Sequence, residues 1–398
     1  MKINSPILFI EINKYDYIFA AGNTHENFQF NLIFYKKIPL IGIRNNRFDD
    51  LNLILKTIKE NVYLIEKKLD HIFKDVVLVI DNFNCSLINL SGFKKLNGSQ
   101  LKKDNVIYII NSLKSKIIET EETKTILHIF NLSYLLDKKK INNLPIGLFG
   151  NFYSQELSFL LIDTNDQENL KKVFDKCNLK IKKIISKNFL LGIEVLNDKI
   201  ELETFLRIDI YDDYIDIIFF ENSALRFNQT FNFGLNLIIN DISKVTSLKN
   251  GTIKSILQNS NFTEENIKND FVEEKFFTGQ NFRKIKKKLL CEVAQARIEE
   301  LAEIVIFKNV NVKSFLKKDL KIFLKINNQF NEKCFGNIYK NVFSSNNKFE
   351  VKFLKNYSND ETFNNVNSLV QYGWKKEAVP IVQEKKSIIA RFFELFFK

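Results

Sequence analysis

Hydrophobic and polar positions change period several times along the chain, and each period predicts an element. ILFIEINKYDYIFAAG (7–22) holds two short apolar runs around a polar turn at Asn13-Lys14, which predicts strand, turn, strand. FDDLNLILKTIKENVYLIEKKLDHIF (48–73) has apolar residues at 51, 54, 55, 58, 62, 65, 69 and 72, the spacing of an amphipathic helix. FKDVVLVID (73–81) then reads as a buried strand. Residues 83–163 change character: the pattern predicts short strands, few long helical runs, and a hairpin at NNLPIGLFGNFYSQELSFLLID (142–163). Helical spacing returns at 166–178, followed by a strand at KIKKIIS and a helix at NFLLGIEVL. RIDIYDDYIDIIFF (207–220) predicts a second strand-turn-strand. Residues 235–310 read as largely helical around a basic, irregular middle, and 320–355 alternate strand and helix signals.

The chain therefore repeats itself. Each half opens on a strand-turn-strand with an acidic residue before the turn, Glu11 in the first and Asp209 in the second, and continues into helix and strand. Such duplication predicts an α/β fold of two related lobes with a cleft between them. The length of 398 residues also exceeds what one core usually covers.

Composition narrows the function classes. Hydrophobic residues make up 45% and charged residues 27%, a globular balance. A net charge of +12 would point to nucleic acid, but the chain is rich in Lys, Asn and Ile together, residues with A/T-rich codons. The lysine excess is read as codon bias, and no nucleic-acid partner is expected. Cys85, Cys177, Cys291 and Cys334 are scattered without a CxxC pair, and His25, His71 and His128 are equally dispersed. Neither a disulfide framework nor a metal site is expected. Without a signal pattern or an apolar run of about 18 residues, the body is expected to be soluble and cytoplasmic.

Several segments in order resemble one family. FIEINKYDYIFAAG sits where it has its first phosphate loop, NNLPIGLFGNF is similar to its NPVGLSG segment, and DIYDDYIDIIFF matches its second phosphate loop. FGLNLIINDIS is similar to the helix that follows, and LLCEVAQARIEELAEI (289–304) to a helix with an EVxxxR pattern near the adenine. Together these resemble FtsA, the actin-like bacterial cell-division family that ties the FtsZ ring to the inner membrane. The resemblance runs nearly end to end. It implies an actin-like two-lobed α/β fold with an FtsA-type inserted subdomain in place of the actin one. The implied boundaries are 1–82 with 164–200 for the first lobe, 83–163 for the insert, and 201–245 with 302–374 for the second lobe. Residues 246–301 would form its outer subdomain, 375–386 a linker and 387–398 a membrane helix.

The resemblance also implies ATP and Mg as cofactors, yet the chain departs from the family where these would bind. The first turn has Asn13-Lys14 where Gly-Thr is expected. The second has Tyr211-Asp212-Asp213-Tyr214 in place of three glycines and a Thr, and a Gly-Gly pair is replaced near Lys325-Ile326-Asn327. Glycine lets backbone approach phosphates closely. Carboxylates placed beside phosphates repel them, by about 4 kcal/mol per close pair at an effective dielectric near 20. The expected remnant of the cleft is Glu11, Asn13, Lys14, Asp209, Tyr211, Asp212, Asp213, Asp216, Glu292, Arg297, Ile326 and Asn327, with Lys14 facing the aspartates. No catalytic residue is assigned and the cofactor is left open. On pattern alone, Asp in a turn between strands is an ordinary surface hairpin.

KKSIIARFFELFFK (385–398) carries the clearest signal for a partner. At 100° per residue Ile388, Ile389, Phe392, Phe393, Leu395, Phe396 and Phe397 share an arc of roughly 200°, with Ser387, Arg391, Glu394 and Lys398 opposite. Such a helix lies in a membrane interface and is too short to span one. Eleven residues from Lys375 to Lys385 reach at most about 37 Å. Lys385, Lys386, Arg391 and Lys398 each add about 1 kcal/mol on an anionic surface. One copy is then a reversible anchor, and several in a polymer hold by avidity.

By resemblance the partners are FtsZ, the anionic membrane surface, further copies of the chain and other division proteins. The location implied is the cytoplasmic face of the inner membrane at the division site. The FtsZ tail would meet the basic run Arg283, Lys284, Lys286, Lys287 and Lys288, a kind of run that is more often a solvated face. The alternatives are an actin-like ATPase, kept open by Asp209 and Asp216, and a related scaffold such as a pilus-assembly protein.

Overall fold

The computed structural model describes residues 5–24, 29–44, 46–81, 83, 85–199, 202–260, 270–277, 281–317, 319–345 and 348–378. The expected membrane-binding residues Ile388, Ile389, Arg391, Phe392, Phe393, Leu395, Phe396, Phe397 and Lys398 lie outside them. Contacts divide the chain into two units. Unit 1 falls within Met1–Glu201, Glu221–Arg226 and Tyr357–Lys398, and unit 2 within Leu202–Phe220 and Phe227–Asn356.

In unit 1 the chain runs β1 (Ile7–Ile12), β2 (Asp16–Thr24), β3 (Phe30–Pro39), β4 (Ile43–Arg44), β5 (Arg47–Phe48), α1 (Leu51–Leu69), β6 (Asp75–Ile80), β7 (Ser86–Lys95) and α2 (Lys103–Thr120). It continues through β8 (Lys124–Leu136), β9 (Lys139–Ile141), β10 (Phe152–Asp163), α3 (Thr164–Asp175), β11 (Lys180–Ser186) and α4 (Lys187–Asp198). The elements that follow are β12 (Phe205–Ile210), β13 (Ile215–Glu221), β14 (Ala224–Phe231), α5 (Asn236–Thr246), α6 (Asn250–Asn259) and α7 (Lys287–Ala302), which runs on into a π-helical turn, Glu303–Phe307. Then come α8 (Val310–Lys313), β15 (Lys321–Ile326), α9 (Gln329–Phe343), β16 (Glu350–Phe353) and α10 (Asn359–Tyr372).

The duplication expected from sequence is present in the sheets. One has the order β11-β6-β1-β2-β3 and the other β14-β13-β12-β15-β16, so in each half the opening hairpin is flanked in the same way. β1 pairs antiparallel with β2 and parallel with β6; β12 pairs antiparallel with β13 and parallel with β15. The registers agree as well. Ile12 pairs with Tyr17 and Ile210 with Ile215, leaving four residues outside the last pair in each hairpin. Beyond the strand ends, Asp81 N–H donates to Ile12 O (3.0 Å) and Asn327 N–H to Ile210 O (2.8 Å). Strand periodicity of two sends Leu8, Ile10 and Ile12 into one core and Leu206, Ile208 and Ile210 into the other. Each such side chain contributes about 1.5–3 kcal/mol on burial.

The helix predicted over 48–73 occupies 51–69. Asp50 caps it by accepting from the N–H groups of Asn52 and Leu53, and Asp70, at φ 48°, ends it in the left-handed region. Ile72, counted in the sequence pattern, therefore lies past the helix and is 76% exposed.

The segment 83–163 differs most from expectation. Its strands are long, and α2 is an 18-residue helix that buries Val106, Ile109, Ile110, Leu113 and Ile117 with the side chains of the sheet β7-β10-β8-β9. The hairpin expected at 142–163 is a loop followed by one strand, β10, which pairs antiparallel with both β7 and β8. The end of the second lobe also differs. From Tyr357 the chain packs with unit 1, because α10 buries Phe363, Val366 and Leu369 there; Thr362 donates to Glu194 Oε1 at 3.1 Å and the Phe363 ring lies 5.7 Å from Phe9.

Candidate functional site

The two acidic positions that the sequence singles out occupy equivalent places, each the fifth residue of a six-residue strand.

In unit 2, Asp209 is fully buried, and so is Arg207 two residues earlier on the same strand face. Arg207 grips the carboxylate with two donors, Nε to Oδ2 at 2.6 Å and Nη2 to Oδ1 at 3.0 Å. Such a fork-to-carboxylate contact is the strong form of an ion pair. Directly across the hairpin from Asp209 stands Asp216, 3% exposed, whose Oδ1 accepts from Thr230 Oγ1 at 2.5 Å.

The turn itself is closed by Tyr211 N–H donating to Tyr214 O at 2.9 Å, and the two tyrosine rings stack with centroids 4.1 Å apart. Asp212 and Asp213 are exposed at its tip. The start of α5 packs against this turn. Leu235 N–H donates to Tyr211 O and Asn236 N–H to Asp212 O, both at 2.9 Å, and Asn236 Nδ2 donates to Asp213 Oδ1 at 2.7 Å. The N–H groups at a helix start are the usual anion-binding donors; here the turn carbonyls take them. Asn328 Nδ2 lies 3.4 Å from Asp212 Oδ1.

The other expected unit 2 residues are dispersed. Ile326 is a buried strand residue opposite Ile210, and Asn327 extends that pairing through its backbone. Glu292 sits on the exposed face of α7 with Lys288 Nζ at 3.5 Å. Arg297 links α7 to α5 through Asp241 and bonds Glu300 at 2.5 Å. These contacts hold its guanidinium firmly protonated: the Asp241 hydrogen bond leads, partly offset by burial, and the charges of Asp241 and Glu300 add to it.

In unit 1, Glu11 is 3% exposed and meets Lys187 Nζ, the first residue of α4, at 3.0 and 3.1 Å. Burial alone would lower the Lys187 pKa, but Glu11 and then Glu194 outweigh it and the net shift is upward. Asn13 closes the first turn by accepting from Tyr15 N–H (3.0 Å) and Asp16 N–H (2.8 Å) on its side-chain oxygen, with Lys14 beside it. This local geometry makes the first turn an Asx-type turn.

The basic run divides. Arg283, Lys284, Lys286 and Lys288 are exposed, with Arg283 donating to Ser247 O at 3.1 Å. Lys287 is not part of that surface. It is 5% exposed and its Nζ reaches Asp270 Oδ2 at 3.3 Å, because the side chains of α7 alternate between core and solvent.

The stretch expected as a linker from 375 begins docked. Asn131 N–H donates to Lys376 O and Ala378 N–H to Ile129 O, both at 2.7 Å, so 376–378 lie antiparallel along β8. Glu377 accepts from His128 Nδ1 at 2.7 Å and lies 3.5 Å from Lys183 Nζ. His128 Nε2 accepts the Ser186 N–H at 3.3 Å, which puts the ring proton on Nδ1. Among the described residues no grouping of His, Cys, Asp and Glu could hold a metal ion, and no helix is long and apolar enough to cross a membrane.

Arg207, Lys187, Thr230 and Asn236 are the members that sequence reasoning missed. For Arg207 a signal existed: a cation two residues from an acid in an otherwise apolar strand must share its face.

No family model matches the chain. It is similar to the cell division protein FtsA of Buchnera aphidicola subsp. Acyrthosiphon pisum, 24% identical over 90% of this chain and 87% of that one. A second FtsA, from Buchnera aphidicola subsp. Baizongia pistaciae, is 25% identical over 79% of this chain and 75% of its own length. FtsA of Neisseria meningitidis serogroup B is 21% identical over 75% of this chain and 72% of its own length. In three dimensions the chain is similar to one in the PilM-PilN type IV pilus biogenesis complex, with a TM-score of 0.53 over 88% of each chain at 10% identity. The fold is actin-like.

Proposed function

We propose that this chain, an actin-like relative of the FtsA cell-division proteins, is a division adaptor that anchors FtsZ to the membrane and has weakened or lost nucleotide binding. The observation that carries the reading is similarity to a cell-division FtsA over 90% of this chain and 87% of the relative. The order of sequence motifs and the duplicated sheets support it.

Membrane attachment rests on the apolar arc Ile388, Ile389, Phe392, Phe393, Leu395, Phe396 and Phe397 with Arg391 and Lys398 beside it. The tether is shorter than the sequence reading has it. With Lys376 and Ala378 held on β8, eight residues, 379–386, separate the body from the helix, a reach of at most about 29 Å. Docking of an acidic FtsZ tail would use Arg283, Lys284, Lys286 and Lys288. Self-association and recruitment of other division proteins at the cytoplasmic face of the inner membrane complete the role.

Weak nucleotide binding is supported by the hairpin turns. The donors at the start of α5 hold the turn carbonyls, two stacked tyrosines fill the turn, and Asp209 is held by Arg207. These residues do not suit a magnesium-bound phosphate chain. The same contacts weigh against the ATPase alternative.

Sedimentation with anionic liposomes tests the anchor: the full chain is expected to pellet, and Phe392→Glu with Phe396→Glu to stay in the supernatant. Equal pelleting of both removes the anchor. Fluorescence anisotropy of an FtsZ tail peptide against charge-reversed Arg283, Lys284, Lys286 and Lys288 tests the partner. Unchanged affinity removes that surface.

A further inference from the structure

Glu11 and Asp209 hold the same position in the two duplicated sheets, and both are buried. A carboxylate removed from water needs a cation or several donors. Positive charge can come from outside, as a divalent ion, or from the chain. Here each half supplies its own, and from a different element. Lys187 reaches Glu11 from the start of α4, after the last strand of its sheet, whereas Arg207 reaches Asp209 from within the same strand. The second carboxylate of unit 2 is also occupied, Asp216 by the Thr230 hydroxyl.

We infer that Lys187 and Arg207 are resident counter-ions, which complete the two hairpin sites with protein cations in place of a ligand-borne one. The inference deepens the reading above and rests on its claim that nucleotide binding is weakened or lost. Two cations brought to equivalent carboxylates by unrelated routes point to the same electrostatic need met separately in each half. The rest of each hairpin is closed by its own atoms: Asn13 on the N–H groups of Tyr15 and Asp16 in the first, and the Tyr211 and Asp212 carbonyls on α5 in the second. A unit of this kind holds its shape without nucleotide or metal.

The test measures thermal midpoints of the full chain in EDTA, in millimolar Mg²⁺, and in millimolar Mg²⁺ with ATP. The wild-type midpoint is expected to be the same in all three. Arg207→Met leaves Asp209, buried directly across from Asp216, without its cation and is expected to lower the midpoint by about 10 °C, with Mg²⁺ recovering part of the loss. Arg207→Met with Asp209→Leu removes the charge pair together, and is expected to melt near wild type and ignore Mg²⁺. Lys187→Met is expected to repeat the single-variant behaviour in unit 1.

A wild-type midpoint that rises by several degrees with Mg²⁺ or Mg-ATP overturns the inference. So does an Arg207→Met midpoint equal to wild type, or one that is lowered and does not respond to Mg²⁺. If Arg207→Met does not fold, the double variant decides: folding near wild type upholds the pair as self-contained, and failure to fold overturns it. Liposome pelleting and tail-peptide binding of the same proteins read the adaptor role separately, so either conclusion can fall alone.

Discussion

Replacing Gly234 by Ala should break the packing of α5 against the Tyr211–Tyr214 turn. A Cβ at this position would lie 2.1 Å from the Tyr211 carbonyl oxygen, 2.9 Å from that of Asp212 and 2.9 Å from Tyr214 N. All three are backbone atoms, so no side chain can rotate away. Carbon and oxygen in ordinary contact stay about 3.3 Å apart, and turn and helix must separate by roughly 1 Å. That separation strains or loses the bonds from Leu235 N–H to Tyr211 O and from Asn236 N–H to Asp212 O, each contributing about 0.5–1.5 kcal/mol. It also disturbs the Tyr211–Tyr214 stack, another ~0.5–1.5 kcal/mol. With the overpacking strain of an added methyl group, the expected loss is about 3–5 kcal/mol. In urea, at a slope near 2 kcal/mol per molar, the midpoint followed by circular dichroism should fall by roughly 1.5–2.5 M. A fall below about 0.5 M would show that the turn does not depend on this close approach.

Two further outcomes follow from burial. At Glu377 burial pushes the carboxyl pKa up, but the His128 hydrogen bond and the Lys183 charge outweigh it, so the pKa sits below its ordinary 4.5. The stabilisation is therefore present above pH 4.5 and is lost as the pH falls through the lowered value. Glu377→Gln should cost about 1–3 kcal/mol at neutral pH, with the gap in urea midpoints narrowing in acid; a gap of equal size near pH 3 would contradict this. Burial raises the Cys85 and Cys334 thiols to about 12 and those of Cys177 and Cys291 to about 11. Iodoacetamide should modify the native chain at pH 8 at least about 100-fold more slowly than the chain in urea, and comparable rates would refute the burial argument.

The duplicated hairpins were legible because strand patterning needs only the nearest residues, and the acids before both turns marked equivalent places. Helix α1 was legible for the same reason, while its end was not: the left-handed turn at Asp70 interrupts an apolar pattern that continues to Ile72. Helix α2 was passed over although Val106, Ile109, Ile110, Leu113 and Ile117 follow helical spacing. Its N-cap is Lys102, which offers no side-chain acceptor, so the usual start signal is missing. The single strand at 152–163 read as a hairpin because glycines and a proline precede it, and those residues form a loop instead. At the site, the acids were visible and their partners were not. Lys187 lies 176 residues from Glu11, and Thr230 is 14 residues from Asp216. Only the closed sheets bring them into reach. The same holds for Lys287, whose place in a run of exposed cations hides a core-facing position on α7.

The docked tail has a mechanical consequence. The chain returns to unit 1 at Tyr357. Tension applied beyond Ala378 reaches the body first at the two hydrogen bonds that 376–378 make with β8, alongside the grip of His128 and Lys183 on Glu377. An antiparallel strand pulled along its own axis loads its bonds in shear, together and not one after another. From there the load passes through β8 into β10, which shares eleven paired positions with it, and through Lys183, which also donates to Leu369 O at 3.1 Å, into α10. The clamp at β8 is thus a strain relief, set between the residues beyond Ala378 and the sheet β7-β10-β8-β9.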